Sequence, residues 1–376
     1  MKLKRWPAML MACGCLSQTA NALEVDISGY ATFVASKGDN EQNSTYFHDV
    51  ANTRHVDFDT SESHIGIQFD ATVSEKVDVI LVLQAEGGSN SGYDIETEWA
   101  YANYNFNEDL ALRIGKVKGS FYMVSDYRNV GYAYPWIRPP LEVYSTNPIT
   151  SFSGLDLVFQ KTVNDVNYLL QFYTGSGHNK KGRAIPAAVD NPPTGYTITD
   201  KDAFVSFKTH GMAGINASIG TDKVTFRVGA LTTKVDAFGQ TDLDGSFVGA
   251  GLTVDASNFV FYSEYIQRDT DANLIAAFPD QNAWYATVGY RIGSVLPYVT
   301  YADIDKGKDD SPFAIVQSSV ALGLRVEVAD AASLKFEAMQ VDPEDSGGFG
   351  RYGLYNDPLS GTEKGQVYSA SFDIIF

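Results

Sequence analysis

From Gln366 to Phe376 apolar and polar side chains alternate almost one by one. Tyr368, Ala370, Phe372, Ile374 and Phe376 fall on one face, and Val367, Ser369, Ser371, Asp373 and Ile375 on the other. A period of two is the period of a strand, whose successive side chains point to opposite sides of a sheet. The alternation recurs along the whole chain. It predicts a first strand over about Glu24 to Ala35, with Val25, Ile27, Ala31 and Phe33 on one face. A second strand carries Ile65, Ile67, Phe69, Ala71 and Val73, and a third runs from Val77 to Ala85 across the short Ser74-Glu75-Lys76 turn. Further tight turns lie near Asn107-Glu108-Asp109, Asn164-Asp165, Thr221-Asp222-Lys223, Ser257-Asn258, Gly293-Ser294 and Asp330-Ala331, each joining two alternating runs. Longer polar stretches separate these hairpins. Seven hairpins with one strand before and one after give an all-β, antiparallel array of sixteen strands, the even number that leaves both ends on the short-turn side. A second strand pair hidden in Lys201 to Gly220 would make it eighteen.

Such apolar faces need cover, and no amphipathic helix in the chain can supply it. Lipid is the other cover. Beyond the first residues no apolar run approaches the roughly 18 residues of a spanning helix, so the crossing elements are strands. Lipid offers no hydrogen-bond partner, which requires the sheet to close into a barrel with no free edge. Aromatics fall near predicted strand ends: Phe106, Phe259, Tyr290, Phe336 and Phe376 towards the turns, and Phe33, Tyr265, Trp284 and Tyr301 towards the loops. Those positions suit girdles at the two membrane interfaces.

Lys2, Lys4 and Arg5 precede an apolar stretch from Trp6 to Leu16, and Ala20-Asn21-Ala22 supplies a small-x-small cleavage pattern. Residues 1–22 therefore read as a secretory signal peptide and 23–376 as the mature barrel. A lipoprotein processing site at Leu10-Met11-Ala12-Cys13 is the competing reading, with a shorter apolar segment. The two cysteines, Cys13 and Cys15, both fall in this leader. A chain cleaved after it has no disulfide, thiol nucleophile or Cys-ligated zinc. The net charge is −18, from 28 basic and 46 acidic residues, which argues against a nucleic-acid partner.

The last strand, with Tyr368, Phe372, Ile374 and the final Phe376, resembles the carboxy-terminal strand of Gram-negative outer-membrane barrels, where it serves as the signal read by the barrel-assembly machinery. A second feature narrows the resemblance. Strand 5, Leu110 to Lys118, is followed by a long stretch, Gly119 to Phe152, before the next alternating run at Leu155 to Thr162. The stretch is rich in Tyr, aliphatics and paired prolines, a composition that packs rather than one that stays disordered. Sixteen strands with a long, ordered third loop between strands 5 and 6 are similar to the general diffusion porins. The resemblance implies that the loop folds inward to narrow a water-filled pore, that the chain forms a homotrimer among outer-membrane lipids and lipopolysaccharide, and that small hydrophilic solutes and ions pass by passive diffusion without reaction chemistry. The acidic cluster of that family's third loop is poorly matched, since only Asp126 and Glu142 are acidic here, against Arg128 and Arg138.

Selectivity is set by charges facing the pore. The strand registers turn Arg113, Arg227, Arg291, Arg325 and Lys335 inward, together with Asp70, Asp156, Glu264, Glu327 and Glu337. From Arg113 to Glu142 the basic Arg113, Lys116, Lys118, Arg128 and Arg138 outnumber Asp126 and Glu142, so the constriction is expected to favour cations less than the whole chain suggests, or even to favour anions. The alternative is that these Arg side chains are paired with wall carboxylates and set no selectivity. Tyr127, Tyr132, Tyr134 and Trp136 are either anchors of the loop or a stacking surface for a sugar, the latter in a substrate-specific porin for sugars, phosphate or another anion.

The remaining acid lies in expected outer loops, at Asp236, Asp242 and Asp244; Asp269, Asp271 and Asp280; Asp303, Asp305, Asp309 and Asp310; and Asp342, Glu344 and Asp345. Oxygen-rich loops can hold Ca²⁺ or Mg²⁺, and Asp57-x-Asp59-x-Ser61 and Asp303-x-Asp305-x-Gly307 weakly resemble calcium loops without their later ligands. His48, Asp49, His55, Asp57, Ser61, Ser63 and His64 are residue types that hydrolases use, so an outer-membrane hydrolase is the remaining alternative. No G-x-S-x-G or H-E-x-x-H motif accompanies them, and the expectation is a protein that is not an enzyme.

Overall fold

A computed structural model describes residues 24–39, 55–58, 62–87, 92–183, 204–237, 239–271, 278–308, 314–344 and 364–376. The leader with Cys13 and Cys15, and His48, Asp49, Asp59, Ser61, Asp309, Asp310 and Asp345, lie outside the described residues.

Sixteen strands follow one another in the chain. They are β1 (Glu24–Gly38), β2 (His64–Ser74), β3 (Val77–Glu86), β4 (Ile95–Asn105), β5 (Leu110–Lys118), β6 (Ser151–Val163), β7 (Val166–Arg183) and β8 (Phe204–Gly220), then β9 (Val224–Ala237), β10 (Gln240–Ala256), β11 (Phe259–Thr270), β12 (Gln281–Tyr290), β13 (Val295–Lys306), β14 (Gln317–Ala329), β15 (Ala332–Pro343) and β16 (Gly365–Ile375). Each pairs antiparallel with its neighbours in sequence, and β1 pairs with β16 to close the barrel. At that seam Phe33 lies opposite Phe372 and Ala31 opposite Ile374, while Gly29 and Phe376 exchange both backbone hydrogen bonds, at 2.7 and 2.9 Å. The final residue thus stitches the two ends of the sheet.

The short turns have the chemistry that tight hairpins demand. Asn164 and Asp165 both take positive φ, 49° and 63°, as the two central residues of a type I′ turn require. Gly293 does so at the first position of the β12–β13 turn, with φ 61°. The two faces separate as the alternation predicts. Ile27, Phe33, Leu322, Phe336, Tyr368 and Phe376 are exposed on the outside, whereas Val367, Ser369, Ser371 and Asp373 of the last strand are buried inside.

Two expectations change. β7, β8 and β10 are 18, 17 and 17 residues long, and β9 and β10 are joined through residues 238–239. Asp236, Asp242 and Asp244 are therefore strand residues and not members of a long loop. Asp303 and Asp305 likewise belong to β13, with Asp303 beside the Tyr301 hydroxyl at 3.4 Å, and an extended strand cannot wrap an ion. A strand carried beyond the apolar belt is polar on both faces, so its composition reads as loop. Sixteen strands stand among the described residues, and of the region Lys201 to Gly220 the described part, Phe204–Gly220, is one strand, β8.

Candidate functional site: the third loop inside the barrel

Between β5 and β6 the chain turns into the barrel. It makes two short 3-10 turns, Ser125–Tyr127 and Gly131–Ala133, and a single helical turn, α1 (Leu141–Tyr144). Residues from Tyr134 to Tyr144 are almost all buried, including Trp136 and Tyr144. The two limbs of the loop are held together by Tyr122. Its ring stacks on Tyr144 at 4.5 Å, and its hydroxyl accepts the N–H of Asn147 at 2.8 Å and meets Thr146 Oγ1 at 3.1 Å. Ser125 Oγ accepts from the N–H groups of Phe121 and Tyr122, at 3.0 and 2.8 Å. The loop is thereby a folded body before it touches the wall.

Wall side chains then take up its backbone groups. The Arg227 guanidinium donates to the carbonyls of Ser120, at 2.5 Å, and Tyr122. Lys335 Nζ donates to the carbonyls of Gly131 and Trp136, both at 2.6 Å, and pairs with Asp373 at 3.3 Å. Arg325 reaches the Tyr134 carbonyl at 3.2 Å and Arg268 the Thr146 carbonyl at 2.6 Å. Glu264 accepts from the Met123 N–H at 2.8 Å, from the Tyr285 hydroxyl at 2.9 Å and from the Tyr144 hydroxyl. Trp136 Nε1 donates to Thr287 Oγ1 at 2.8 Å and Thr300 Oγ1 at 3.1 Å. These bonds satisfy backbone groups that a buried loop would otherwise leave unpaired.

The residues expected to set selectivity divide accordingly. Arg138, on the loop, is held by Glu62 and by Glu337 at 3.3 Å. Arg227, Arg325 and Lys335 hold loop carbonyls. Arg291 pairs with Asp255 at 2.9 Å near the turn side, and Glu142 is buried and accepts from Gln317 at 2.8 Å. Lys116 stands in register with Ala100 and Ser153 on the outer face and donates to the Thr97 carbonyl, so it does not add charge to the pore. Counting charge along residues 113–142 overstated the positive field for these reasons. Tyr134 and Trp136 are buried anchors. Tyr127 and Tyr132 are only partly covered, and the Tyr132 hydroxyl donates to the Asp330 carbonyl at 2.8 Å, which carries the loop to the turn-side end of the barrel.

The uncovered inner wall lies on β2 to β5, where Gln68, Asp70, Ile80, Tyr101, Asn103 and Arg113 keep part of their surface. Asp126, Tyr127 and Arg128 of the loop are likewise incompletely covered. Asp70, Arg113 and Asp126 are all close enough to act on the Tyr101 hydroxyl, and Arg113 sits 5.6 Å over the Tyr101 ring and 3.5 Å from Asp156. Lys118 Nζ lies 4.6 Å over the Trp99 ring, in the field of Glu98, Arg128 and Asp126. Three acids, Asp70, Glu98 and Asp126, thus face three bases, Arg113, Lys118 and Arg128. Glu62, Glu98, Trp99 and Asp373 were not singled out as site residues from sequence, although the inward register of β16 was the signal that could have found Asp373; Glu264, read as inward-facing, does face the loop.

The residue types suggestive of a hydrolase do not combine where they are described. Ser63 Oγ is bonded to the backbone of Val34, at 3.0 Å to N and 3.3 Å to O. Both ring nitrogens of His64 face backbone carbonyls, of Glu62 at 2.7 Å and Asn129 at 2.6 Å. Among the described residues no three His, Cys, Asp or Glu side chains converge as metal ligands would.

No protein-family model matches the sequence, and no curated protein does. Solved structures do match. The outer-membrane channel DcaP of Acinetobacter baumannii is 12% identical with a TM-score of 0.60, over 94% of this chain and 97% of that one. An anion-selective porin from Comamonas acidovorans is 12% identical at 0.59, over 94% and 100%. The trimer form of OmpT, an outer-membrane protein of Vibrio cholerae, is 11% identical at 0.59, over 95% and 100%. This chain shares its fold with these outer-membrane proteins, and in it the closed, sixteen-stranded antiparallel barrel is apolar outside and filled in part by its inward-folded third loop.

Proposed function

We propose that the protein is an outer-membrane porin, a passive diffusion channel for small hydrophilic solutes and ions. The observation that carries this reading is the division of the barrel interior. From β9 to β16 wall side chains hold the buried third loop, and across the barrel His64 and Gln84 hold it at Asn129, while beside that contact on β2 to β5 a polar, partly uncovered wall faces Asp126 to Arg128. A loop fastened to the wall with a charged, uncovered stretch beside it narrows a passage without closing it. Residues 1–22 direct export, the last strand is read by the barrel-assembly machinery, and three copies assemble among outer-membrane lipids and lipopolysaccharide. No reaction chemistry is involved.

Single-channel conductance of the detergent-extracted protein in a planar bilayer tests the reading. Stepwise ohmic openings that close in thirds at high voltage are expected. Saturable block by a sugar or phosphate would instead mark a substrate-specific porin, and silence from correctly folded, heat-modifiable protein would refute a channel of either kind.

A further inference from the structure

His64 opens β2 at its loop-side end, and the contacts of its half-buried ring call for two protons. Nδ1 lies 2.7 Å from the carbonyl oxygen of Glu62, and Nε2 lies 2.6 Å from that of Asn129. A carbonyl oxygen only accepts, so each nitrogen must donate, whereas a neutral imidazole carries a single N–H. The arrangement is therefore that of an imidazolium, and both contacts are short, as charge-assisted hydrogen bonds are. Each acceptor is held by its own side chain. The Glu62 carboxylate takes two nitrogens of Arg138. Asn129 Nδ2 donates to Gln84 Oε1 at 2.8 Å, where the Tyr30 hydroxyl also donates at 2.9 Å.

Asn129 stands at a boundary in the third loop. Before it, Asp126 to Arg128 are incompletely covered. After it, Gly131 sits against Asp373 and Thr32, and Lys335 takes its carbonyl at 2.6 Å. The bond from His64 thus fastens the end of the uncovered stretch to β2. Around the ring, β1 presents Tyr30, edge-on at 6.0 Å, and Thr32, which donates to Asp373, itself paired with Lys335. β3 presents Glu86 in register and Gln84, whose Nε2 reaches Glu98 of β4 at 3.4 Å. Arg128 neighbours Asn129 in the loop, and Arg138 is beside Glu62. We infer that His64, as the imidazolium, is the positioning residue of the constriction, a clasp that holds Asn129 to β2 and parts when the ring loses its second proton. This rests on the reading of the barrel as a solute pathway and adds a control of its width. Imidazole is the side chain that changes charge between pH 5 and 8. The neutral ring keeps one donor. Its bond to Glu62, two residues away, stays, and the bond that reaches across to the loop is lost.

Two measurements on the full-length protein test the clasp. In detergent, with ¹⁵N-labelled histidine, the chain's 5 His contribute ring signals, and those missing from His64→Gln belong to His64. At pH 5 both of its nitrogens should carry a proton, and at pH 8 only one. In a planar bilayer at fixed KCl, the wild-type current should be steady at pH 5 and should visit a second level about 10-fold more often at pH 8, the factor that loss of one charge-assisted hydrogen bond carries. His64→Gln, with wild-type heat-modifiability, visits that level equally at both pH values. A neutral His64 at pH 5, a wild-type current that is the same at pH 5 and 8, or a His64→Gln variant that keeps the wild-type pH profile overturns the clasp. Should the variant fail the heat-modifiability control, the protonation and the pH profile of the wild type decide. Conductance without this pH dependence sinks the inference alone, whereas a doubly protonated His64 in a folded protein that does not conduct sinks the channel and leaves the clasp standing.

Discussion

Lys335 shows at a single residue how charge is used inside this barrel. Its ammonium group is fully buried, with two loop carbonyls and Asp373 as partners. Lys335→Met removes the cation and leaves the Asp373 carboxylate buried without its counter-ion, a change of the kind that costs about 3–5 kcal/mol. A lowered temperature of heat-modification in detergent is expected, and it should recover in the Lys335→Met, Asp373→Leu double variant, in which no unpaired charge remains. Glu142 makes the opposite case, since no cation meets it directly. Burial raises its pKa above the ordinary 4.5, outweighing the hydrogen bond from Gln317 that lowers it. The folded state then holds the proton to higher pH than the unfolded chain does, so the contribution is full below about 4.5 and is lost as pH rises through the folded value. Glu142→Gln keeps the amide-sized group beside Gln317. The variant should be more stable than wild type at neutral pH, equal to it at pH 4, and free of this slope when heat-modification is followed against pH. A wild-type stability that rises from pH 4 to 7 while the variant's stays flat contradicts the assignment.

The third loop is the element in which fold and function meet, and its seat is cut to fit. A Cβ added to Gly131 would lie 2.1 Å from Asp373 Oδ1 and 2.5 Å from Thr32 Oγ1, and Asp373 cannot yield while Lys335 holds it. Gly131→Ala should therefore lift this part of the loop into the passage or away from the wall. The expected result is a changed single-channel conductance with unchanged barrel folding, and a conductance identical to wild type would show that this turn does not bound the passage. The inward path of the loop was legible in the sequence, from the strand before it, its length and its Tyr, Trp and Pro content. Its mode of attachment was not. Whether Arg138 meets solvent or Glu62 and Glu337 depends on residues far apart in the chain, brought together by barrel closure. Nor does alternation say how far a strand continues once both of its faces are polar, which is why β9 and β10 were longer than composition suggested. Alternation does carry the count and register of the membrane-spanning strands, because a slip of one residue would turn every apolar side chain inward.

For the whole molecule, the proposed channel would set two charge distributions of different range on a permeating ion. The chain carries −18 overall, whereas the narrow part sets Asp70, Glu98 and Asp126 against Arg113, Lys118 and Arg128. The first field is long-ranged and the second is felt only close by. At 0.01 M salt the screening length is about 30 Å and the distributed acid reaches an ion throughout the pore, while at 1 M it is about 3 Å and only the nearest side chains count. Reversal potentials under a fixed salt ratio should thus show a clear cation preference at low ionic strength that falls towards none as both compartments approach 1 M. Arg128, whose guanidinium lies 5.7 Å over the Tyr144 ring, supplies the local control. Arg128→Gln unbalances the constriction by one charge, so the variant should retain cation preference at 1 M, where the wild type has lost it. A wild-type preference that does not change with salt would place selectivity in the constriction alone, and an Arg128→Gln variant that loses its preference just as the wild type does would remove Arg128 from the ion path.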